Sequence, residues 1–506
     1  MTADETPAGT GPWDVVVIGA GPTGLAAAAL LGLRGLRVAV VERHRAVYPL
    51  PRAVHLDDEV YRILHQLGVG EEFAAHSRPA AGLRLVDGRH RELATFTRER
   101  TTAAGLPQAN MFDQPDLERL LRGNLERFPR VELLGGHELL RLDTTDPASV
   151  TARVRRPDGT VTTLRAPYLI ACDGANSTVR TQLSVSSEDF GFEQRWIVAD
   201  VRCAPGLDAW DGVHQVCDTH RAGTYMRIGP DRYRWEFRLL DGESADDFAD
   251  VPALRRLIEP WVRAVPDDEL SVLKCAEYTF RARVAHRWRV GRVFLAGDAA
   301  HVTPPFIGQG MCAGLRDAHN LAWKLAEVLR GRAAPGLLDS YEAERRPHVA
   351  TMVGRARGMG RLMTGGGRAA SLARRRLVPA LARSRTVRRT LLDSRTPALV
   401  PGPRIARRTP RTVRGALLPL VRLTGPDGEP LLVDRVLGDR TVVVALPGVD
   451  LAAVPDASPS AWLTVAPEGG EGERHLARWL REAGVVWVRV DPDRVVSAAG
   501  PGGVHR

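Results

Sequence analysis

The residues best equipped for chemistry lie in the run from Val293 to Leu315, VFLAGDAAHVTPPFIGQGMCAGL. A buried strand there delivers Gly297 and Asp298, the chain passes Pro304-Pro305, and a helix is expected to open on Gly308-Gln309-Gly310-Met311. A carboxylate at a strand end can hold a row of hydroxyls, and the free amides of a helix start can hold an anion. His301 is a base by type, but at a strand end within this run it reads better as a buried, hydrogen-bonded structural group.

A second run, Val15 to Gly24 (VVVIGAGPTG), is a short apolar strand followed by Gly19-x-Gly21-x-x-Gly24, with the alanine-rich helix Leu25 to Leu33 directly behind it. Glycines at this spacing allow a tight turn and close approach of backbone to a pyrophosphate. The next strand, Arg37 to Val41, ends at Glu42, about 20 residues beyond the glycines, where a carboxylate that binds ribose hydroxyls is expected. Arg43 follows it. Strand, loop, helix and acid together make a dinucleotide site, where a lone glycine motif would not.

A third run, Tyr168 to Arg180 (YLIACDGANSTVR), brings Asp173-Gly174 off another apolar strand, with Ser177 and Arg180 behind at helical spacing. With these three elements in order, the chain resembles the single-component FAD-dependent aromatic hydroxylases, the para-hydroxybenzoate hydroxylase-like flavoprotein monooxygenases, over roughly residues 12–400. Pro51-Arg52-Ala53-Val54, Phe112 to Glu118 (FDQPDLE) and Gly308 to Leu325 (GQGMCAGLRDAHNLAWKL) look most like the 3-(3-hydroxyphenyl)propionate hydroxylase and polyketide-tailoring branch.

The resemblance implies an enzyme with FAD as cofactor and NADH or NADPH as co-substrate. It would place one oxygen atom of O2 on a phenolic or polycyclic aromatic substrate through a C4a-hydroperoxyflavin. Cofactor contacts would come from Gly19, Gly21, Gly24, Glu42, Arg43, Arg52, Gln114, Asp173, Asp298, Pro305, Gly308, Gly310 and Met311. Arg52, Pro305, Gly310 and Met311 would stand nearest the reaction, with the amides of Gly310 and Met311 facing negative charge that reduction places on the flavin. As bland alternatives, Arg52 is a solvated surface arginine and Gln114 a helix-start residue ahead of Pro115.

The elements that must hold these residues follow from the pattern. The section to about Asp173 reads as strand, helix, strand, with further strands at Ala81–Val86, Val131–Leu134 and Val150–Val154. Phe190 to Tyr278 alternates through Trp196–Val201, Gly223–Ile228 and Tyr233–Arg238, with one helix near Val251–Val265, and suggests an antiparallel sheet roofing a pocket. Gln215, Cys217, Tyr225 and Arg227 are its candidate substrate contacts. Tyr225 and Arg227 have the same parity and so share a face; ordinary sheet packing explains all four as well.

After Gly291 the chain returns to the first unit and helices run to about Arg389. Pro397–Pro410 breaks the pattern, and beyond it strands at Leu431–Leu437, Thr441–Ala445, Trp462–Val465 and Val485–Val490 alternate with a helix at His475–Glu482. The fold class expected is α/β: a Rossmann-like FAD-binding domain (12–189 with 291–396), a substrate sheet (190–290), and a small α/β C-terminal domain (410–506) that resembles the thioredoxin-like domain of the phenol-hydroxylase relatives. No cysteine lies beyond Cys312, so that last unit cannot run dithiol chemistry.

Composition bounds the remaining classes. Five dispersed cysteines with no CxxC argue for a reducing compartment, no disulfide scaffold and no metal site. The opening MTADETPAGTGP lacks a leader's basic and apolar regions, and the longest apolar stretch, Leu25–Leu33, stops at Arg34. A cytoplasmic protein without a membrane span is expected. The net charge of +10 is concentrated: Thr351 to Gly415 holds seventeen arginines and one acid, Asp393. That stretch is a solvated helical face or a dock for an anionic carrier or surface; no nucleic-acid fold accompanies it.

Homodimerisation is a further expectation. A second GxGxxG unit is missing, which separates the chain from two-dinucleotide-domain oxygenases and disulfide reductases, and the W-x-W-x-I-P element of flavin halogenases is missing too. A Baeyer-Villiger or epoxidising relative acting on a polyketide remains an alternative, as does a flavin-binding scaffold without turnover.

Overall fold

A computed structural model of the chain describes residues 13–48, 52–102, 104–384, 396–425, 427–450, 454 and 461–500. The opening segment Met1–Pro12, Pro51, and 385–395 of the arginine-rich stretch lie outside the described residues.

The first unit is built on a six-stranded sheet in the order 289–290, 293–295, 168–171, 15–18, 38–42, 131–135. Val15–Ile18 runs parallel to both Val38–Glu42 and Tyr168–Ala171, which are flanked in parallel by Val131–Gly135 and Val293–Leu295. Strands covered on both faces need no polar alternation, hence VVVI and YLIA, every residue of which is buried. The helix Pro22–Leu33 covers one side, and its Ala26–Ala29 are completely buried beside the helix Gly310–Leu329. Because the four central strands are parallel, Gly19, Glu42, Asp173 and Asp298 all leave the same edge of the sheet. That edge is the ligand-binding edge of open α/β sheets.

The roof is an eight-stranded sheet in the order 301–302, 270–285, 187–203, 232–238, 223–227, 213–217, 82–87, 92–97. It is antiparallel except where Val213–Cys217 pairs in parallel with Gly82–Asp87. The strand expected at Ala81–Val86, together with Glu92–Thr97, therefore leaves the first sheet and widens the roof. Val150–Arg155 also lies apart, in a three-stranded antiparallel sheet with 138–143 and 161–166. The helix Val251–Val262 covers the roof's far side, where Trp261 contacts Tyr225, Trp235 and Phe237.

The C-terminal unit is a four-stranded mixed sheet, 462–464, 442–445, 487–490 and 496–500, carrying the helix Glu471–Glu482. The strand expected over Leu431–Leu437 is a correction. Only Pro430–Leu432 pairs, with Arg422–Thr424, and Val433–Leu437 is helical. The cause is tertiary. That turn presents the buried Asp434 to Arg62 of the first unit, whose Nε donates to Asp434 Oδ2 at 2.6 Å and whose Nη1 donates to the Leu418 carbonyl at 2.7 Å. The same junction holds Asn320 Nδ2 on Asp493 Oδ2 at 2.7 Å. All five cysteines are free. No helix among the described residues is long and apolar enough to cross a membrane.

Candidate active site

One cavity of about 1060 Å³ runs from the glycine loop to the roof. It is lined by Gly19, Gly21, Glu42, Arg43, Arg52 and Gln114, then by Asp173, Asp298, Pro305, Gly308, Gly310 and Met311. Of the expected cofactor residues Gly24 alone stands outside the lining. A Cβ built there would meet the Gly19 carbonyl oxygen at 2.0 Å, so Gly24 serves the packing of helix against loop. Gly19 has φ +101°, a conformation that favours glycine. At Gly21, the N-cap of the first helix, a Cβ would find no protein atom within 4 Å. That space opens into the cavity at a helix N-terminus, which fits a pyrophosphate.

The acids are fixed by their neighbours. Glu42 Oε2 accepts from the Ala20 amide at 2.8 Å, and Oε1 from the His44 amide at 2.9 Å, which ties the second strand to the glycine loop. Asp173 Oδ1 accepts from Ser177 Oγ at 2.5 Å and Oδ2 from the Val179 amide at 3.0 Å. Arg180 then pins this loop to its neighbour by donating to the carbonyls of Ala299 and Ala175, at 2.8 and 2.7 Å. Asp298 stands at the cavity wall, and burial raises its carboxyl above the ordinary range. A carboxyl so placed is suited to polyhydroxyl partners.

Arg52 is exposed at the cavity, its guanidinium 5.7 Å from the Tyr48 ring centre. Gln114 Oε1 accepts from the amides of Arg52 and Ala53 at 3.2 and 2.6 Å, so the pair expected separately forms one structure. The helix after the prolines begins at Gly310, not Gly308. A single 3-10 turn, Pro305–Ile307, ends on Gly308 at φ +63°, and a left-handed residue cannot belong to the right-handed helix that follows. Its start is held by Gln309 Nε2 and Arg316 Nη2, which donate to Asp57 Oδ2 at 2.8 and 2.7 Å. A buried network thus fixes the helix start, where Gly310 and Met311 line the cavity. His301 lies behind the wall, with Nε2 2.8 Å from Asp317 Oδ2, as a structural role requires.

At the roof only Gln215 of the four candidates lines the cavity. Cys217 is buried further along the same strand, its thiol pushed up to about 12 by burial. Tyr225 and Arg227 do share a face, but it is the far one. Tyr225 is buried between His214 and Trp261, and Arg227 donates to the Gly229 and Pro230 carbonyls. Thr224 and Met226, of opposite parity, face the cavity instead. Parity fixed which residues go together but not which side they take, because the helix Val251–Val262 makes the far side a buried apolar core.

Residues the sequence left unmarked also line the cavity: Glu236, Tyr278, His55, Arg98, Met352 and Arg355. Burial and the nearby Arg98 hold His55 down at about 4, and Arg98 Nη1 lies 2.7 Å from its Nε2. Lys274 Nζ donates to Tyr278 Oη at 2.7 Å; burial, with Arg234, brings the ammonium down to about 8. Strand alternation could have flagged Glu236 through its in-register partner Thr224, whereas Met352 and Arg355 come from a remote helix that no local pattern connects to the roof.

A family model described as FAD binding domain matches residues 12–356. The chain is 37% identical over 366 residues to a probable NADH-specific resorcinol 4-hydroxylase of Rhodococcus jostii, covering 72% of this chain and 68% of that one. It is 32% identical over 497 residues to a 3-(3-hydroxy-phenyl)propionate/3-hydroxycinnamic acid hydroxylase of Klebsiella pneumoniae, covering 97% and 85%. Among solved structures it is similar to aklavinone-11 hydroxylase in complex with FAD and aklavinone, with a TM-score of 0.77, 28% identity, and 97% and 96% of the two chains covered. The chain belongs to the FAD binding domain family, among the FAD-dependent monooxygenases that hydroxylate aromatic compounds.

Proposed function

We propose that this chain hydroxylates a phenolic or polycyclic aromatic substrate with O2 and NADH or NADPH. The observation that carries the reading is the single cavity that joins a dinucleotide loop, a helix N-terminus and a sheet roof. FAD, when bound, supplies hydride acceptance and oxygen activation. Gly19 and Gly21 give backbone access to its pyrophosphate and Glu42 its ribose hydroxyls, with Arg43 beside them. Asp298 and Asp173 hold the middle of the cofactor, and Gly308, Gly310 and Met311 stabilise negative charge at its ring. Arg52, tied to Gln114, would contact FAD, and Pro305 would shape the wall at its ring without offering a proton donor. An apolar wall there keeps water from the reaction.

The division into a cofactor unit (12–189 with 291–396), a roof (190–290, joined by the strands 82–87 and 92–97) and a C-terminal unit (410–506) is part of this reading. So are a cytoplasmic location, homodimerisation, and an anionic partner for the basic segment 351–415. The reading is tested by purifying the chain with FAD and following NADH oxidation and product mass over a panel of phenols. It predicts a yellow protein and a product one oxygen atom heavier than its phenol; a colourless protein that cannot be reconstituted with FAD contradicts it.

A further inference from the structure

Three roof strands bring Gln215, Thr224 and Glu236 into one row. Thr224 pairs in register with Gln215 on one side and Glu236 on the other, and all three line the cavity. Gln215 is 3% exposed. Its Nε2 is committed to the Phe306 carbonyl at 2.7 Å, beside Pro305, and its buried Oε1 has no hydrogen-bond partner. The amide is thus locked with an acceptor left over, a costly arrangement unless something donates to it. Glu236 is 7% exposed and makes no hydrogen bond or ion pair with another described side chain. Its neighbour Arg234 is spent on Asp200, at 2.6 and 2.9 Å, and on the Arg52 carbonyl.

Neighbouring positions across a sheet stand about 5 Å apart, so Glu236 stands about 5 Å from Thr224 and about 10 Å from Gln215, and the two hydroxyl oxygens of a 1,3-dihydroxybenzene match the Glu236–Thr224 spacing. Two acceptors flanking a hydroxyl that can donate or accept suit a ligand with phenolic O–H groups and not one presenting ethers.

Resting on the function proposed above, we propose that Gln215 and Glu236 form the phenol-recognition site and that Glu236 is the base that ionises the substrate. The phenolic O–H bond breaks, its proton moves to a Glu236 carboxylate oxygen, and the electron pair stays on the phenolic oxygen. From there it enriches the ortho and para carbons of the ring. The total charge in the cavity is unchanged by the transfer, which suits a site closed to water. The charged and titratable groups around Glu236 are Arg234 on its own strand, Asp200 on the strand 187–203, and Lys274 and Tyr278 on the strand 270–285. Arg355 lines the cavity from the helix Asp339–Thr364. Burial makes the Glu236 carboxyl a stronger base than an exposed one.

The test uses FAD-loaded protein with resorcinol and 3-(3-hydroxyphenyl)propionate as probes. Difference absorbance should show a phenolate band when either binds wild type or Glu236→Asp, and a neutral phenol with Glu236→Gln. In the Glu236→Gln variant hydroxylated product per NADH should fall at least about tenfold while FAD content is retained. A measurement on wild type alone guards against misfolding: 1,3-dimethoxybenzene should bind at least about tenfold more weakly than resorcinol, since it can donate to neither Glu236 nor Thr224. An unchanged phenolate band and yield in Glu236→Gln, or equal binding of the two ligands by wild type, would overturn the assignment while leaving the hydroxylase reading intact. If wild type hydroxylates no phenol at all, that reading fails, and this one with it.

Discussion

Replacing Gly21 and Gly24 by alanine should have opposite consequences, although both glycines belong to one motif. At Gly21 the backbone is extended (φ −73°, ψ 178°) and a Cβ meets no protein atom within 4 Å. The apoprotein should therefore keep its stability within about 0.5 kcal/mol, or gain slightly as the unfolded chain loses freedom. The new methyl group projects where the pyrophosphate must approach the backbone, so FAD should bind ten- to a hundredfold more weakly, a loss of about 1.4–2.7 kcal/mol. At Gly24 the Cβ would lie 2.0 Å from the Gly19 carbonyl oxygen and 3.3 Å from Cys172 Cβ. Backbone cannot yield as a side-chain end can. The apoprotein itself should lose about 1–3 kcal/mol. Apoprotein melting and fluorescence titration with FAD separate the two effects. Wild-type affinity in Gly21→Ala, or a wild-type melting curve for apo Gly24→Ala, would refute the division of roles.

Other expectations follow from the same contacts. Asp434→Ala strands Arg62 and Arg494 in the junction with the C-terminal unit and should cost about 3–5 kcal/mol, read as a lower Tm and proteolytic release of residues beyond about 410. Burial alone would raise the carboxyls of Asp57, Asp317 and Asp434, but Arg316, then His301 with Arg345, then Arg62 with Arg494, outweigh it and hold all three below the usual range. Their stabilisation is present above the unfolded value of about 4 and lost as pH falls through their lower folded values, so Tm should drop below about pH 4; a Tm flat from pH 6 to 3 would contradict this. Thr224→Val should weaken phenol binding several-fold while Tyr225→Phe, on the far face, leaves it within about twofold, checked by the same absorbance titration.

The cofactor half of the site was legible in the sequence because its geometry is local. A glycine loop, an acid at the end of the next strand and a helix start each occupy a few consecutive residues, and parallel strands bring Glu42, Asp173 and Asp298 to one edge without further information. The substrate half was not legible. Gln215, Thr224 and Glu236 meet through strand pairing across more than twenty residues, and the roof buries apolar side chains on both faces, so alternation grouped Tyr225 with Arg227 yet left their side undecided. The strand expected at Ala81–Val86 read like an addition to the first sheet because nothing local records a partner as distant as Val213–Cys217. Leu431–Leu437 misled for a related reason: its apolar pattern suits a strand, and the fold uses five of its seven residues as a turn of helix that delivers Asp434 to Arg62.

The claim that the cavity houses FAD-dependent oxygenation of an aromatic ring is met most directly by a single-turnover experiment. FAD-loaded protein is reduced with NADH in the presence of resorcinol and then mixed with isotopically labelled O2. The account predicts a hydroxylated aromatic product carrying one labelled oxygen atom per flavin reoxidised, with the second atom in water. Flavin reoxidation that yields only labelled hydrogen peroxide, across every phenol that binds, would contradict it.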